Sequence, residues 1–188
     1  MELSATAKAI LGILAMQPRS GYEIKSFVDN STRYFWTANY GQIYPELRRL
    51  ADAGLIEGTS SPTGGRQRTV YSITKAGRHA LREWHELPAE VFEYRDEAML
   101  KLFLAGAIAP ERAAEIARNR AELAAETADA LREVESRAEG KDAAAYTVLR
   151  FGIEFNDWVA DWFERQALAL EEGTPLSKDD PIPARELV

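Results

Sequence analysis

Gln42, Tyr44, Arg48 and Arg49 fall close together in one amphipathic stretch, and Arg66 and Arg68 follow it on a β-rich segment. These side chains carry the hydrogen-bonding chemistry of DNA recognition: Arg pairs with guanine, Gln with adenine, and Tyr or Arg with phosphate oxygens. Over residues 39–53, Ile43, Leu47, Leu50 and Ala51 share one helical face. Gly41, Pro45, Arg48 and Arg49 are left on the other, with Gln42 and Tyr44 on the flanks. Such a helix fits a major groove; taken alone it reads first as an ordinary amphipathic surface helix, and a context of three helices with a wing reverses that order. Arg66 and Arg68 alternate, and so project from one face of a strand behind the Gly64-Gly65 pair. Two guanidiniums there suit a minor groove or flanking phosphates, although the segment alone is also a common polar hairpin. A further helix opens at Ser20 to Tyr22, where free N–H groups and the helix dipole favour a phosphate, with Lys25 one turn on. Ser20 and Glu23 are also fully explained as a capping box.

Other chemistries find little support. The chain has no cysteine, which excludes disulfides, thiolate catalysis and Cys-based metal sites. His79 and His85 are its only histidines, and His79 with Glu83 reads as a surface pair rather than a metal site. No Gly-rich phosphate loop and no G-x-S-x-G elbow occurs, so no catalytic residue, cofactor or metal is expected. The apolar run Ala9 to Met16 is too short for a membrane span, which leaves a soluble cytoplasmic protein as the expectation.

The elements that must position these groups follow from periodicity. Apolar residues at Leu3, Ala7, Ile10, Leu11 and Leu14 predict a helix that ends before Pro18. A second helix covers about 20–30 and a third 39–53, with Pro45 near its first turn, Gly54 as its C′ residue and Leu55 packing back. Strands are predicted at Leu55–Thr59 and Arg68–Ile73, with a turn over Ser60–Gly65 between them. Thr74 then caps a fourth helix whose apolar face is Ala80, Leu81, Trp84 and Leu87. Three helices, a β-hairpin and a fourth helix make the order of a winged helix.

The second half carries almost no strand signal. A short helix holds Ala98, Met99, Leu102 and Phe103. Pro110 opens a long charged helix reaching about Ala138, with Ile116, Leu123, Leu131 and Val134 as its large anchors. A last helix runs from about Asp142 to Glu172. On it Val148, Phe151, Phe155, Trp158 and Trp162 repeat at alternating spacings of three and four, as in a coiled-coil seam. The stripe is open to three readings: a dimer seam, an intramolecular core, or, at Trp158 and Trp162, the wall of an aromatic effector pocket.

The charge supports two jobs. The chain has 188 residues, 23 basic and 30 acidic, for a net charge of −7. Residues 1–88 carry +3 and residues 89–188 carry −10. A modestly basic half can meet DNA while an acidic half stays away from it. The expected organisation is a mainly α chain: an N-terminal winged helix-turn-helix with a two-stranded wing over 1–88, long helices for dimerisation and effector binding over 89–174, and a flexible tail over 175–188.

Three runs then resemble a known family. They are Gly41-Gln42-Ile43-Tyr44-Pro45-Glu46-Leu47-Arg48-Arg49-Leu50, Gly54-Leu55-Ile56, and Tyr71-Ser72-Ile73-Thr74-Lys75-Ala76-Gly77-Arg78. With Ser20-Gly21-Tyr22-Glu23-Ile24 they are similar to the signature of PadR-family transcriptional regulators. The resemblance implies a dimeric bacterial winged-helix regulator, usually a repressor, that binds double-stranded DNA and in many members answers a small molecule. It implies recognition-helix contacts at Tyr40, Gln42, Tyr44, Pro45, Arg48 and Arg49, and wing contacts at Arg66 and Arg68. A winged-helix adaptor that binds protein rather than DNA is the alternative.

Overall fold

A computed structural model of the chain describes residues 3–32, 40–63, 66–89, 94–138 and 142–174, without the side chains of residues 40, 61–63, 66, 67, 137 and 138. The expected turn glycines Gly64 and Gly65 and the expected tail over 175–188 lie outside the described residues. The chain divides into two compact units, Met1–Phe92 and Glu93–Val188.

In the first unit, α1 (Ala5–Met16) starts at Ser4, whose side chain accepts from the Ala7 N–H. Gln17 is extended before Pro18, as a residue preceding proline prefers, and this ends the helix. The next two residues form β1 (Arg19–Ser20), a strand too short to show in any hydropathy pattern. It leads directly into α2 (Gly21–Asn30) through the expected capping box at Ser20 and Glu23. Gly21 is needed there, since a Cβ would lie 2.8 Å from the Tyr44 ring.

Helix α3 (Tyr40–Asp52) buries Ile43, Leu47 and Leu50 completely. Pro45 lies inside this helix rather than in its first turn. Its missing N–H therefore withholds a donor from the Gly41 carbonyl, and the glycine leaves room on the turn the ring presses against. The helix ends as expected. Gly54 adopts φ +69°, its N–H donates to the Ala51 carbonyl and the Leu55 N–H to that of Leu50, the paired bonds of a Schellman motif.

Strands β2 (Ile56–Thr63) and β3 (Arg66–Ile73) pair antiparallel from Ile56↔Ile73 to Thr63↔Arg66. Both outrun their predicted spans, and Ser60–Thr63 belong to β2 instead of a turn. The sheet order β1-β3-β2 leaves β2 at an edge, where Pro62 is tolerated. Helix α4 (Lys75–Glu86) starts at Thr74, which accepts from the Gly77 N–H and donates to the Gly54 carbonyl. A Cβ at Gly77 would collide with the Leu55 carbonyl oxygen, so the Thr74–Gly77 run is a packing device. Leu81 packs on the core formed by α1, α2, α3 and the hairpin, while Trp84 and Leu87, expected on the same buried face, are exposed.

The second unit comprises α5 (Glu97–Ile108), a 3-10 turn (Pro110–Arg112), α6 (Ala113–Ala138) and α7 (Ala143–Glu171). Helices α6 and α7 run antiparallel, bridged by Glu135–Arg150, Arg132–Asp157 and Arg118–Glu171. The seam is not built on the expected large anchors. Ala117, Ala121, Ala124 and Ala128 are buried, whereas Leu123 and Val134 face outward and Leu131 alone of those anchors is buried. Small side chains let the helices approach closely, so the alanine ladder faces Val159, Phe163 and Ala167. On α7 the buried residues are Ile153, Val159, Phe163 and Ala167. The Val148–Trp162 stripe therefore runs beside the internal seam. Val148, Phe151 and Trp158 are exposed, and Phe155 and Trp162 are half-buried.

Candidate nucleic-acid interface

The outer face of α3 is the first component. Gln42, Tyr44, Pro45, Arg48 and Arg49 are exposed on it while Ile43, Leu47 and Leu50 are buried, so the helix separates its two faces cleanly. Arg48 has no hydrogen-bond or ion-pair partner among the described residues. Arg49 is engaged: its Nε and Nη2 lie 3.2 and 3.0 Å from Glu46 Oε1. The same oxygen accepts from the Ser4 hydroxyl at 2.9 Å, so Glu46 links α3 to the start of α1. Tyr44 is packed along one edge against Gly21 and exposed along the other. Tyr40 opens the helix, and its side chain lies outside the described residues.

The start of α2 is the second component, and it differs from the sequence expectation. Ser20 is buried. Its backbone N–H and its hydroxyl each donate to Glu23 Oε2 at 2.8 Å, so the residue serves as a cap and presents nothing outward. The Glu23 carboxylate already occupies the positive end of the helix. Lys25, expected to reach phosphate, turns along α2 to pair with Asp29 and is mostly covered. Tyr22 is exposed, as a backbone contact requires.

The wing is the third component. Arg66 stands opposite Thr63 at the far end of β3, and its side chain lies outside the described residues. Arg68 does not extend freely: its Nη2 lies 2.5 Å from Glu23 Oε1. The bond from Arg68, with the bonds from Ser20, holds the Glu23 carboxyl down at about 2. Sequence reasoning missed this pair because only the strand pairing of β1 with β3 brings residues 23 and 68 together. The one local hint was a capping glutamate with a second oxygen to spare. Arg19, also missed, lays its guanidinium 4.7 Å over the Phe27 ring.

Elsewhere, His79 and Glu83 are an exposed pair 3.5 Å apart. No group of three or more metal-ligating side chains occurs among the described residues. No helix among them is long and apolar enough to cross a membrane. In the second unit, Asp96 caps α5 through the Ala98 and Met99 N–H groups and pairs with Arg120 at 2.7 Å. Burial opposes its ionisation, but Arg120, the Met99 N–H and the Tyr94 hydroxyl together outweigh burial and hold its carboxyl below the usual range. The Trp158 and Trp162 rings, expected at a dimer seam or an effector pocket, stack on each other with centroids 6.4 Å apart.

Two family profiles match the chain: the transcriptional regulator PadR-like family over residues 10–83, and the virulence activator alpha C-terminal region over residues 94–171. A probable transcriptional regulator of Mycobacterium tuberculosis, Rv1176c, is 33% identical over 89% of this chain and 98% of its own length. The negative transcriptional regulator PadR of Bacillus subtilis is 34% identical over 57% of this chain, and the match spans 60% of that relative. A crystal structure of B. subtilis PadR in complex with operator DNA superposes with a TM-score of 0.79 at 25% identity, covering 89% of this chain and 99% of that one. The same regulator in complex with p-coumaric acid superposes with a TM-score of 0.70 at 25% identity, covering 87% and 97%.

Proposed function

We propose, from the premise that this chain belongs to the PadR-like family of transcriptional regulators, that it acts as a cytoplasmic homodimeric repressor with α3 of each protomer in a major groove. Residues 1–88 bind DNA in this reading, 89–174 dimerise and receive an effector, and 175–188 form a tail. Two-fold symmetry then calls for a pseudo-palindromic operator, with half-sites about one turn apart or a multiple of it. Gln42 and Arg48 read base edges. Tyr22, Tyr40, Tyr44, Pro45 and Arg49 lie against the backbone, and Arg66 and Arg68 flank the groove. Ser20 and Lys25 hold α2 in place instead of touching DNA.

One observation carries the reading: α3 presents an exposed Gln and two Arg opposite a fully buried aliphatic face. It does so in a chain that superposes on a relative solved on its operator. Dimerisation is supported by the apolar surface of the second unit, where Leu100, Phe103, Ile108, Phe151 and Trp158 are exposed. So many exposed large apolar side chains on one small unit mark an interaction surface. Release by a small aromatic effector is supported by the B. subtilis relative's complex with p-coumaric acid and by the stacked tryptophans of α7. Repression follows that relative's description as a negative regulator.

The test is a salt titration of binding to DNA from the promoter region of its own gene. The logarithm of the binding constant should fall with the logarithm of salt concentration, by about 0.9 per neutralised phosphate. No binding, or binding without salt dependence, defeats the proposal. A stable protein partner in its place selects the adaptor.

A further inference from the structure

We propose that Glu23 is a specificity-determining residue: by holding Arg68 fixed and charge-paired against α2, it restricts the wing arginine to duplexes that meet it in one pose. This rests on the DNA-binding reading above. The geometry gives Glu23 two separate tasks. Its Oε2 takes both Ser20 donors at 2.8 Å, which fixes the carboxylate on the helix. Its Oε1 takes Arg68 Nη2 at 2.5 Å, which ties a side chain of the wing to a different element. The backbone braces the same link, because Ser20 pairs with Val70, two residues from Arg68.

Arg68 spends one nitrogen of its fork on Glu23, and its side chain remains 46% exposed, so the other donors still face solvent. Such a guanidinium differs from that of Arg48 on α3, which has no partner among the described residues. Arg48 must be ordered by the base edge it reads. Arg68 is already placed, so a phosphate in the right position gains a contact with little ordering cost. A phosphate elsewhere meets a neutralised pair, so undirected attraction is reduced. The carboxyl stays ionised through the physiological range, so this bias is permanent and is not a pH switch.

Glu23→Gln removes the charge but keeps an acceptor for the capping box. Dissociation constants are measured across a salt series for an operator duplex selected from random DNA and for a scrambled duplex of equal length. The variant should bind the scrambled duplex about threefold tighter or more, with a salt slope steeper by about 0.9, one added phosphate contact. Operator affinity should hold or fall, so the ratio between the two duplexes drops at least about threefold. An unchanged ratio overturns the proposal. So does a Glu23→Gln effect that persists in an Arg68→Ala background, since it would then act through the α2 cap. Should Glu23→Gln unfold the unit, Arg68→Gln carries the test: it should lose more on the operator than on the scrambled duplex, and equal losses overturn the idea. A wild-type protein that binds neither duplex defeats the functional proposal and this one with it. Wild-type discrimination with no change in Glu23→Gln defeats this one alone.

Discussion

The two units solve the same packing problem in opposite ways. In Met1–Phe92 the large aliphatic side chains are inside: Ile10, Leu11, Leu14, Ile24, Ile43, Leu47 and Leu50 are all essentially inaccessible. In Glu93–Val188 the inside is largely alanine, and many of the large side chains are outside, with Phe103 at 85% and Ile108 at 75% exposure. Each buried large side chain contributes roughly 1.5–3 kcal/mol, and a buried methyl much less. The first unit therefore has a core of its own. The second has a close-fitting seam and an apolar exterior that gains stability once covered. Under the proposed function, the difference teaches that a unit meant to read a duplex is a rigid platform, while one meant to pair protomers keeps an unfinished surface.

The largest way to break this contrast is at the α7 stripe. Replacing Phe155 and Trp158 by Glu should convert dimers to monomers in sedimentation. Operator affinity should then fall at least about a hundredfold, as the second half-site contact is lost. A variant that stays dimeric would place the stripe outside the protomer interface. On stability, one substitution in each unit tests the contrast. Arg120→Ala removes the ion-pair partner of Asp96 but leaves its two backbone donors and the Tyr94 hydroxyl, and should cost about 1.5–3 kcal/mol in the second unit. Leu47→Ala should cost about 2–5 kcal/mol in the first. Chemical denaturation at two protein concentrations sharpens the comparison. The second unit's midpoint should rise with protomer concentration and the first unit's should not.

Smaller effects probe the interface itself. Arg48→Ala should weaken operator binding by about 1–3 kcal/mol and relax preference at one base position. A uniform loss across sequences would make Arg48 a phosphate contact. The smallest is an acid effect. Folded Glu23 titrates at about 2 against 4.5 for a free carboxyl, so its contribution is complete above about pH 5 and is lost as pH falls toward 2. With the pair two-fifths exposed, solvent screening limits this to about 1 kcal/mol. Glu23→Gln should flatten that part of the stability-versus-pH curve.

Much of this architecture was legible because its signals are local. The Ser20–Glu23 box, the Gly54 helix end and the Thr74 cap are each set within a few residues, and each stands where the pattern put it. The face of α3 was legible for the same reason. Long-range pairing was not. Strand β1 is two residues long and exists only because Tyr71 and Val70 come back beside it. Ser60–Thr63 read as a turn by composition, yet pairing with β3 extends β2 through them. The alanine ladder of α6 was missed because alanine weighs little in an apolar pattern, although it is the residue that brings two helices nearest. Ser20 and Lys25 read as phosphate contacts from the free N–H groups and dipole of the α2 N-terminus, a reading that does not register their local partners Glu23 and Asp29.

The hairpin also has a mechanical meaning. Eight residues in each strand at about 3.3 Å per residue make an arm of roughly 26 Å. Arg19 and Ser20, immediately before α2, pair with Tyr71 and Val70, so the arm is clamped and not hinged there. An arm of that length exceeds the roughly 12 Å width of a major groove. In the proposed reading Arg66, which opens β3 at its outer end, and Arg68, two residues inward, would act as graduations on a stiff ruler, with the distance it measures written into the number of paired residues.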